Sequence, residues 1–219
     1  MAGEVFSQSA DTLNQMTSIA LITLVAPGSV MEIAKFLVAA NLPAILIWPI
    51  AGVIADRSNR KKIMVVSNII QAFLMTLILL LSHSLPHLLP FYIIIFLTYT
   101  SINFFQPALS ASIPAVVPRE QLLVANSLAS GATMICLVIG AVLGNMLVAR
   151  IGISRGFYIN SLLYFIAAIM FFLIAGSIFR KGAEQNSAVK SPASDPGSIF
   201  RELAGGIKAI LSDKFVHYA

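Results

Sequence analysis

A chain of 219 residues with 58% hydrophobic and only 11% charged side chains is more apolar than soluble domains, where roughly 45–50% is usual. Its apolar residues fall in long runs, several reaching the ~20 residues that cross a ~30 Å hydrocarbon core, which excludes a soluble enzyme. The formal charge of +5 resides in short loops beside these runs and marks membrane topology, so it calls for no nucleic-acid partner.

The sequence therefore predicts an all-α polytopic membrane protein. A transmembrane β-barrel would alternate polar and apolar residues in segments of about 10, a pattern absent here. Six transmembrane helices are expected at about 4–26, 30–55, 61–83, 89–112, 120–149 and 155–179. Together they form a bundle over residues 1–180, followed by a linker at 181–197 and an amphipathic segment at 198–219.

The first helix has no basic region and no short apolar core of a signal peptide. Instead Glu4, Ser7, Asp11, Asn14 and Ser18 recur at helical spacing and form one polar stripe. A carboxylate at bilayer depth costs at least ~2.5–3.5 kcal/mol, so the stripe should face a cavity or polar partners. On the functional reading, Asp11 binds a proton or a cationic substrate, and Asn14 and Gln15 are hydrogen-bonding cavity walls. On the structural reading, Glu4 and Asp11 start the helix in the interfacial layer, where acids favour the dipole.

Pro27-Gly28-Ser29 separates the first helix from the second. Near the start of the second, Glu32 and Lys35 at i, i+3 are placed to form an outer ion pair or part of an outer gate. Its other end runs into Gly52-Val53-Ile54-Ala55-Asp56-Arg57-Ser58-Asn59-Arg60-Lys61-Lys62, the densest charge cluster in the chain. Gly52, without a Cβ, would let a neighbouring helix approach. Asp56 ends the helix at the hydrocarbon edge and needs a partner. Asn59 stands at the turn and tolerates a left-handed conformation. Arg60, Lys61 and Lys62 open the third helix, within reach of lipid phosphates, against the preference of its dipole.

Asn68 and Gln71 in the third helix, and Asn103 and Gln106 in the fourth, suit either cavity walls or interhelical hydrogen bonds. His83 and His87, in an outer loop without Cys or acidic neighbours, do not make a metal site. Pro114 to Pro118 is expected to end the fourth helix. Asn126 and Asn160 are read as ties between helices, and lone Cys136 as a small buried hydrophobe. Phe91, Tyr92, Phe157 and Tyr158 suit an interfacial aromatic belt. No cofactor is implied, and no nucleotide-binding loop is present. Arg57, Arg60, Lys61, Lys62, Arg119, Arg180, Lys181, Lys190, Arg201, Lys208 and Lys214 all fall on one side of this layout, which places both termini in the cytoplasm.

Gly52-x-Ile54-Ala55-Asp56-Arg57-x-Asn59-Arg60-Lys61 resembles the loop between the second and third helices of the major facilitator superfamily, with Asn59 where that family has Gly. Phe105-x-Pro107, Ile113-Pro114-x-Val116-Val117-Pro118-Arg119-Glu120-x-Leu122 and Ala125-Asn126-Ser127-Leu128 are similar to its macrolide-efflux and enterobactin-exporter branch. Gly140-Ala141-x-x-Gly144 is similar to a fifth-helix antiporter motif, with Ala141 where Pro is usual. The resemblance implies an N-terminal six-helix half of a twelve-helix secondary transporter, exporting drug-like or siderophore-like molecules with proton coupling from a bacterial inner membrane. It also implies that the loop from Gly52 through Asp56, Arg57, Asn59, Arg60 and Lys61 is a gating element. The implied partners are the lipid bilayer, a small-molecule substrate, protons, and a missing C-terminal half or a homodimer mate. The run Phe91 to Ser112 lacks the fourth-helix Arg of many drug–proton antiporters, which leaves coupling to Asp11. The other reading is a truncated, non-transporting membrane protein that at most associates with a partner half.

Overall fold

A computed structural model describes residues 2–81, 88–117 and 121–173. Among them are six helices: α1 (Ala2–Val25), α2 (Val30–Arg57), α3 (Arg60–Leu81), α4 (Leu89–Val116), α5 (Leu122–Ile151) and α6 (Ile153–Leu173). His83, His87, Arg119, the linker and the amphipathic segment lie outside the described residues.

Local chemistry explains where the helices stop. Gly28 turns the chain between α1 and α2 at a φ of 74°, a left-handed value that costs glycine nothing. Ser29 then caps α2, its side chain accepting from Glu32 N at 3.4 Å. Gly152, at φ 87°, ends α5 and allows the immediate return into α6.

Two expectations are corrected here. Asn59 is not left-handed, since the positive-φ residues among those described are glycines. It acts as an N-terminal cap, its Oδ1 accepting from Lys62 N at 3.2 Å. The fourth helix does not end at about 112 but runs to Val116. Pro114 costs α4 the one bond that its missing N–H would make to Ser110 O, and the helix ends within a turn of it, at its C-cap Val117.

Among the described residues five helices are long and apolar enough to cross a membrane: Val30–Trp48 within α2, α3, Leu89–Ile113 within α4, α5 and α6. At 24 residues α1 is as long, ~36 Å by its rise, but its polar sector holds it below that standard of composition. Its contacts nevertheless extend along the whole bundle. Gly3 meets Phe171, Thr12 meets Gly140 and Thr17 meets Gly156, each pair at 3.1–3.2 Å from the glycine's virtual Cβ.

The packing is internally symmetric. α1 lies on α5 and α6, α4 lies on α2 and α3, and α3 lies on α6. Exchanging the first three helices for the last three reproduces the same set of pairs, the mark of an internal repeat. Close approach of α1 depends on small residues: Gly140 and Gly144 face Thr12 and Leu13, and Gly156 faces Thr17. Gly52, by contrast, has nothing within 4 Å of where a Cβ would be, so it permits no close helix approach within this chain.

The core contains Ile22, Phe36, Met75, Ile78, Phe91, Ile95, Phe157 and Tyr164. A second cluster holds Ala55, Met64, Phe105, Ala108 and Phe171, with the Phe105 and Phe171 rings edge to face at 5.5 Å. Phe91 and Phe157 are therefore core residues and not an interfacial belt, whereas Tyr158 is exposed. Much of α5, from Leu123 to Met146, leaves large apolar side chains uncovered, as expected of surface that meets lipid or another membrane helix.

Candidate functional site in the first helix and its neighbours

The polar sector of α1 divides into two edges. Ser7, Asn14 and Ser18 are fully buried, while Gln8 and Asp11 are half-buried and Gln15 is exposed. The buried edge packs on α6. Asn160, with its amide turned so that both ends are satisfied, donates to Ala10 O at 2.8 Å and accepts from Asn14 N at 3.3 Å. Ser18 Oγ donates to Asn14 Oδ1 at 3.4 Å. The tie to α6 thus runs through the Asn14 backbone, while its side-chain Nδ2 is buried without a hydrogen-bond partner. Asn160 performs the tying role expected of it, but Asn126 is exposed on α5.

Asp11 stands between the two edges. The hydroxyl of Tyr164, one turn beyond Asn160 on α6, donates to Asp11 Oδ1 at 2.7 Å. Tyr99 on α4 lies within electrostatic range of the same carboxyl group. One hydrogen bond, from the Tyr164 phenol, thus joins α1 to α6 at this acid. The sequence reading missed both tyrosines. Tyr164 was detectable: Asn160, Ser161 and Tyr164 are the polar points of an apolar run, at spacings that match the α1 stripe.

Asn103 and Gln106 lie elsewhere. They are half-buried on α4 and, with Ala44, Trp48, Gly52 and Ser110, line an open groove of about 800 Å³ between α2 and α4. Asn103 Nδ2 donates back to Tyr99 O at 2.7 Å. The five polar residues proposed from sequence therefore occupy four environments: the Asp11 site, the α1–α6 interface, this groove and, for Gln15, the uncovered side of α1. Ser67 and Ser101 connect α3 to α4, Ser101 Oγ donating to Ser67 O at 3.1 Å. Asn68 and Gln71 are buried beside them.

At the other end of α2, Lys35 Nζ lies 2.7 Å from Glu32 Oε1. The second carboxylate oxygen accepts from Tyr92 OH at 2.6 Å, which joins α2 to α4. In the charged loop, Arg60 does not extend only toward lipid phosphates: its guanidinium donates to Ala111 O at 2.5 Å, at the C-terminal turn of α4, where a cation is favoured. Lys61 Nζ sits 5.4 Å from the centre of the Phe172 ring. No cluster of His, Cys, Asp and Glu fit for a metal ion occurs among the described residues.

Residues 6–218 match the family model of the Major Facilitator Superfamily. The chain belongs to the Major Facilitator Superfamily. It is similar to the uncharacterised MFS-type transporter YfiS of Bacillus subtilis (strain 168), 25% identical over 183 residues, 84% of this chain and 43% of that protein. It is similar also to macrolide efflux protein A of Streptococcus pyogenes, 32% identical over 124 residues, 55% of this chain and 30% of that protein. The chain spans less than half the length of these relatives. Membership in this superfamily fits the paired three-helix repeats, and with the long apolar helices it makes this a multi-pass membrane protein.

Proposed function

We propose that the chain supplies the N-terminal half of a proton-coupled secondary exporter of amphiphilic small molecules, with Asp11 as the proton-binding group. The observation that carries the reading is the surroundings of Asp11. Its hydrogen-bond donor is a phenol, and no Lys, Arg or His occurs in α1, in α4, in 122–149 of α5 or in 156–173 of α6. A carboxylate in a spanning helix without a basic counter-charge from these neighbours is stabilised by taking up a proton or a cationic ligand. Exchange of one for the other is the minimum requirement of an antiporter. Alternating access then arises as this six-helix half rocks against a second one, with the uncovered Gln15 side of α1 toward the shared cavity. Both termini and the Arg60 end of α3 lie on the cytoplasmic side of the inner membrane in this arrangement. An export substrate of macrolide or siderophore type agrees with the relative named for macrolide efflux.

The test is Asp11→Asn in the chain combined with a second half, assayed in inverted vesicles. Efflux driven by a pH gradient is expected to disappear at unchanged protein level; undiminished efflux overturns the assignment. Transport by the purified chain alone in liposomes would replace the second half by a homodimer mate.

A further inference from the structure

Between Glu4 and Asp11 on α1 stands a polar atom with nothing to bond. Ser7 is 1% exposed, and its Oγ has no hydrogen-bond partner. Serine in a membrane helix ordinarily bonds back to the carbonyl four residues earlier, as Thr12 does to Gln8 O, Thr17 to Leu13 O and Thr23 to Ile19 O on this same helix. Ser7 does not. A buried hydroxyl left unpaired in this way is commonly satisfied by an ordered internal water. One turn before it, Glu4 is also buried, at 9% exposure. One turn after it, Asp11 is held by Tyr164.

We infer that Glu4, Ser7 and Asp11 form a hydrated proton path along the α1–α6 seam, from the end of α1 that shares a side with the Arg60 loop to the Asp11 site. The inference rests on the reading of Asp11 as the proton-binding group. Glu4 and Asp11 are separated by ~10 Å along the helix axis, too far for one transfer, and a water at Ser7 divides that span in two. On release, the Asp11 O–H bond breaks and its proton passes to the water at Ser7. That water passes one of its own protons to the Glu4 carboxylate, which loses it to the aqueous phase. One positive charge moves and no bond is otherwise changed.

Few other titratable groups face this line. Tyr164 on α6 bonds Asp11, and Tyr99 on α4 lies within electrostatic range of it. On α6 beside the start of α1 stand Met170 and Phe171, which do not titrate. On α5 the titratable side chains are Cys136, one turn before Gly140, and Arg150, toward the opposite end.

The experiment is a pH jump on the chain in lipid nanodiscs, followed by time-resolved infrared absorption of the Asp11 carboxyl group, assigned by its loss in Asp11→Asn. Ser7→Val, which fills the water site, and Glu4→Gln are expected to slow the Asp11 response by an order of magnitude. Ser18→Val, on the same stripe beyond Asp11, leaves it unchanged. Ser7→Ala keeps room for the water and gives an intermediate rate, a check should the valine variant fail to fold. Wild-type rates in Glu4→Gln and in either Ser7 variant overturn the path while leaving Asp11 as the proton site. An Asp11 band that ignores pH overturns the reading of Asp11 and the path with it.

Discussion

Tyr164 on α6 donates its hydroxyl to Asp11 Oδ1 on α1 at 2.7 Å, one turn from the point where Asn160 ties the same two helices together. The acid is therefore anchored to a partner helix by a group that can remain in place whether the carboxyl carries a proton or not. A basic partner would oppose protonation, whereas a phenol can bond to either form.

The anchor is modest in energy. Hydrogen bonds between membrane helices contribute about 0.6 kcal/mol on average and at most about 1.7, because the unfolded chain also finds partners in the bilayer. A double-mutant cycle of Asp11→Asn and Tyr164→Phe, measured by reversible unfolding in mixed micelles, is expected to give a coupling in that range. A coupling near zero would mean that the contact has no energetic weight. Tyr164→Phe is expected to preserve the fold and to alter the pH profile of transport, an effect that simple loss of packing would not produce.

The glycines of α5 and α6 make a second prediction. A Cβ at Gly156 would lie 3.1 Å from Thr17 Cγ2 and Oγ1 and 3.2 Å from Val148 Cγ2, and one at Gly140 would lie 3.2 Å from Thr12 Cβ. Overpacking of this kind costs about 1–3 kcal/mol. Gly156→Ala and Gly140→Ala are therefore expected to destabilise the bundle, with Thr12→Ala recovering part of the loss at Gly140. Gly131, also on α5, has nothing within 4 Å; Gly131→Ala should be neutral or stabilising by up to about 1 kcal/mol, through helix propensity alone. Equal gains at Gly131 and Gly140 would show that propensity and not α1–α5 contact governs the effect.

The number and order of the six helices were legible in the sequence because apolar runs and the Pro27-Gly28-Ser29 break act locally. The polar stripe of α1 was legible for the same reason: 3.6-residue spacing needs no knowledge of neighbours. Its division was not. Whether Asn14 or Gln15 is covered depends on where α6 lies, and only tertiary packing separates Asn14, fully buried, from Gln15, exposed. Asn59 shows a different limit. The residue type admits both a left-handed turn and an N-terminal cap, and the backbone around it decides for the cap. Arg60 could be placed beside the membrane from topology, but its bond to Ala111 joins residues 51 apart in sequence.

At the N-terminal end of α2, two contacts to one carboxylate differ in expected effect. Lys35 is half-exposed, and exposed ion pairs contribute only about 0–1 kcal/mol. Tyr92 connects α2 to α4 through its one hydroxyl, which donates to Glu32 Oε2 at 2.6 Å with Glu32 O at 3.2 Å as a weaker second acceptor. Lys35→Ala is therefore expected to change stability by less than Tyr92→Phe, for which about 0.5–1.5 kcal/mol is reasonable for a hydrogen bond made on folding. Thermal unfolding in detergent, with and without added salt, checks both: the Lys35 effect should shrink with salt and the Tyr92 effect should persist.

Arg60 is subject to two opposed effects at the junction of α3 and α4. Its charge at the start of α3 works against that helix dipole, at about 0.3–1 kcal/mol. Its guanidinium bonds a carbonyl at the end of α4, and hydrogen bonds from charged groups contribute about 1.5–3 kcal/mol. The second effect is the larger, so Arg60→Ala is expected to destabilise the chain by roughly 1–2 kcal/mol. Lys61→Ala, which removes a cation–π contact to Phe172, should cost about 0.5–1 kcal/mol. Neither change should invert the topology, because Lys62 and Arg57 still flank the loop. Amide hydrogen exchange near Ala115, the residue whose N–H normally bonds Ala111 O in a helix, is the local readout. Faster exchange there in Arg60→Ala than in Lys61→Ala supports the link between α3 and the end of α4. Equal exchange in the two variants would assign the arginine a purely topological role.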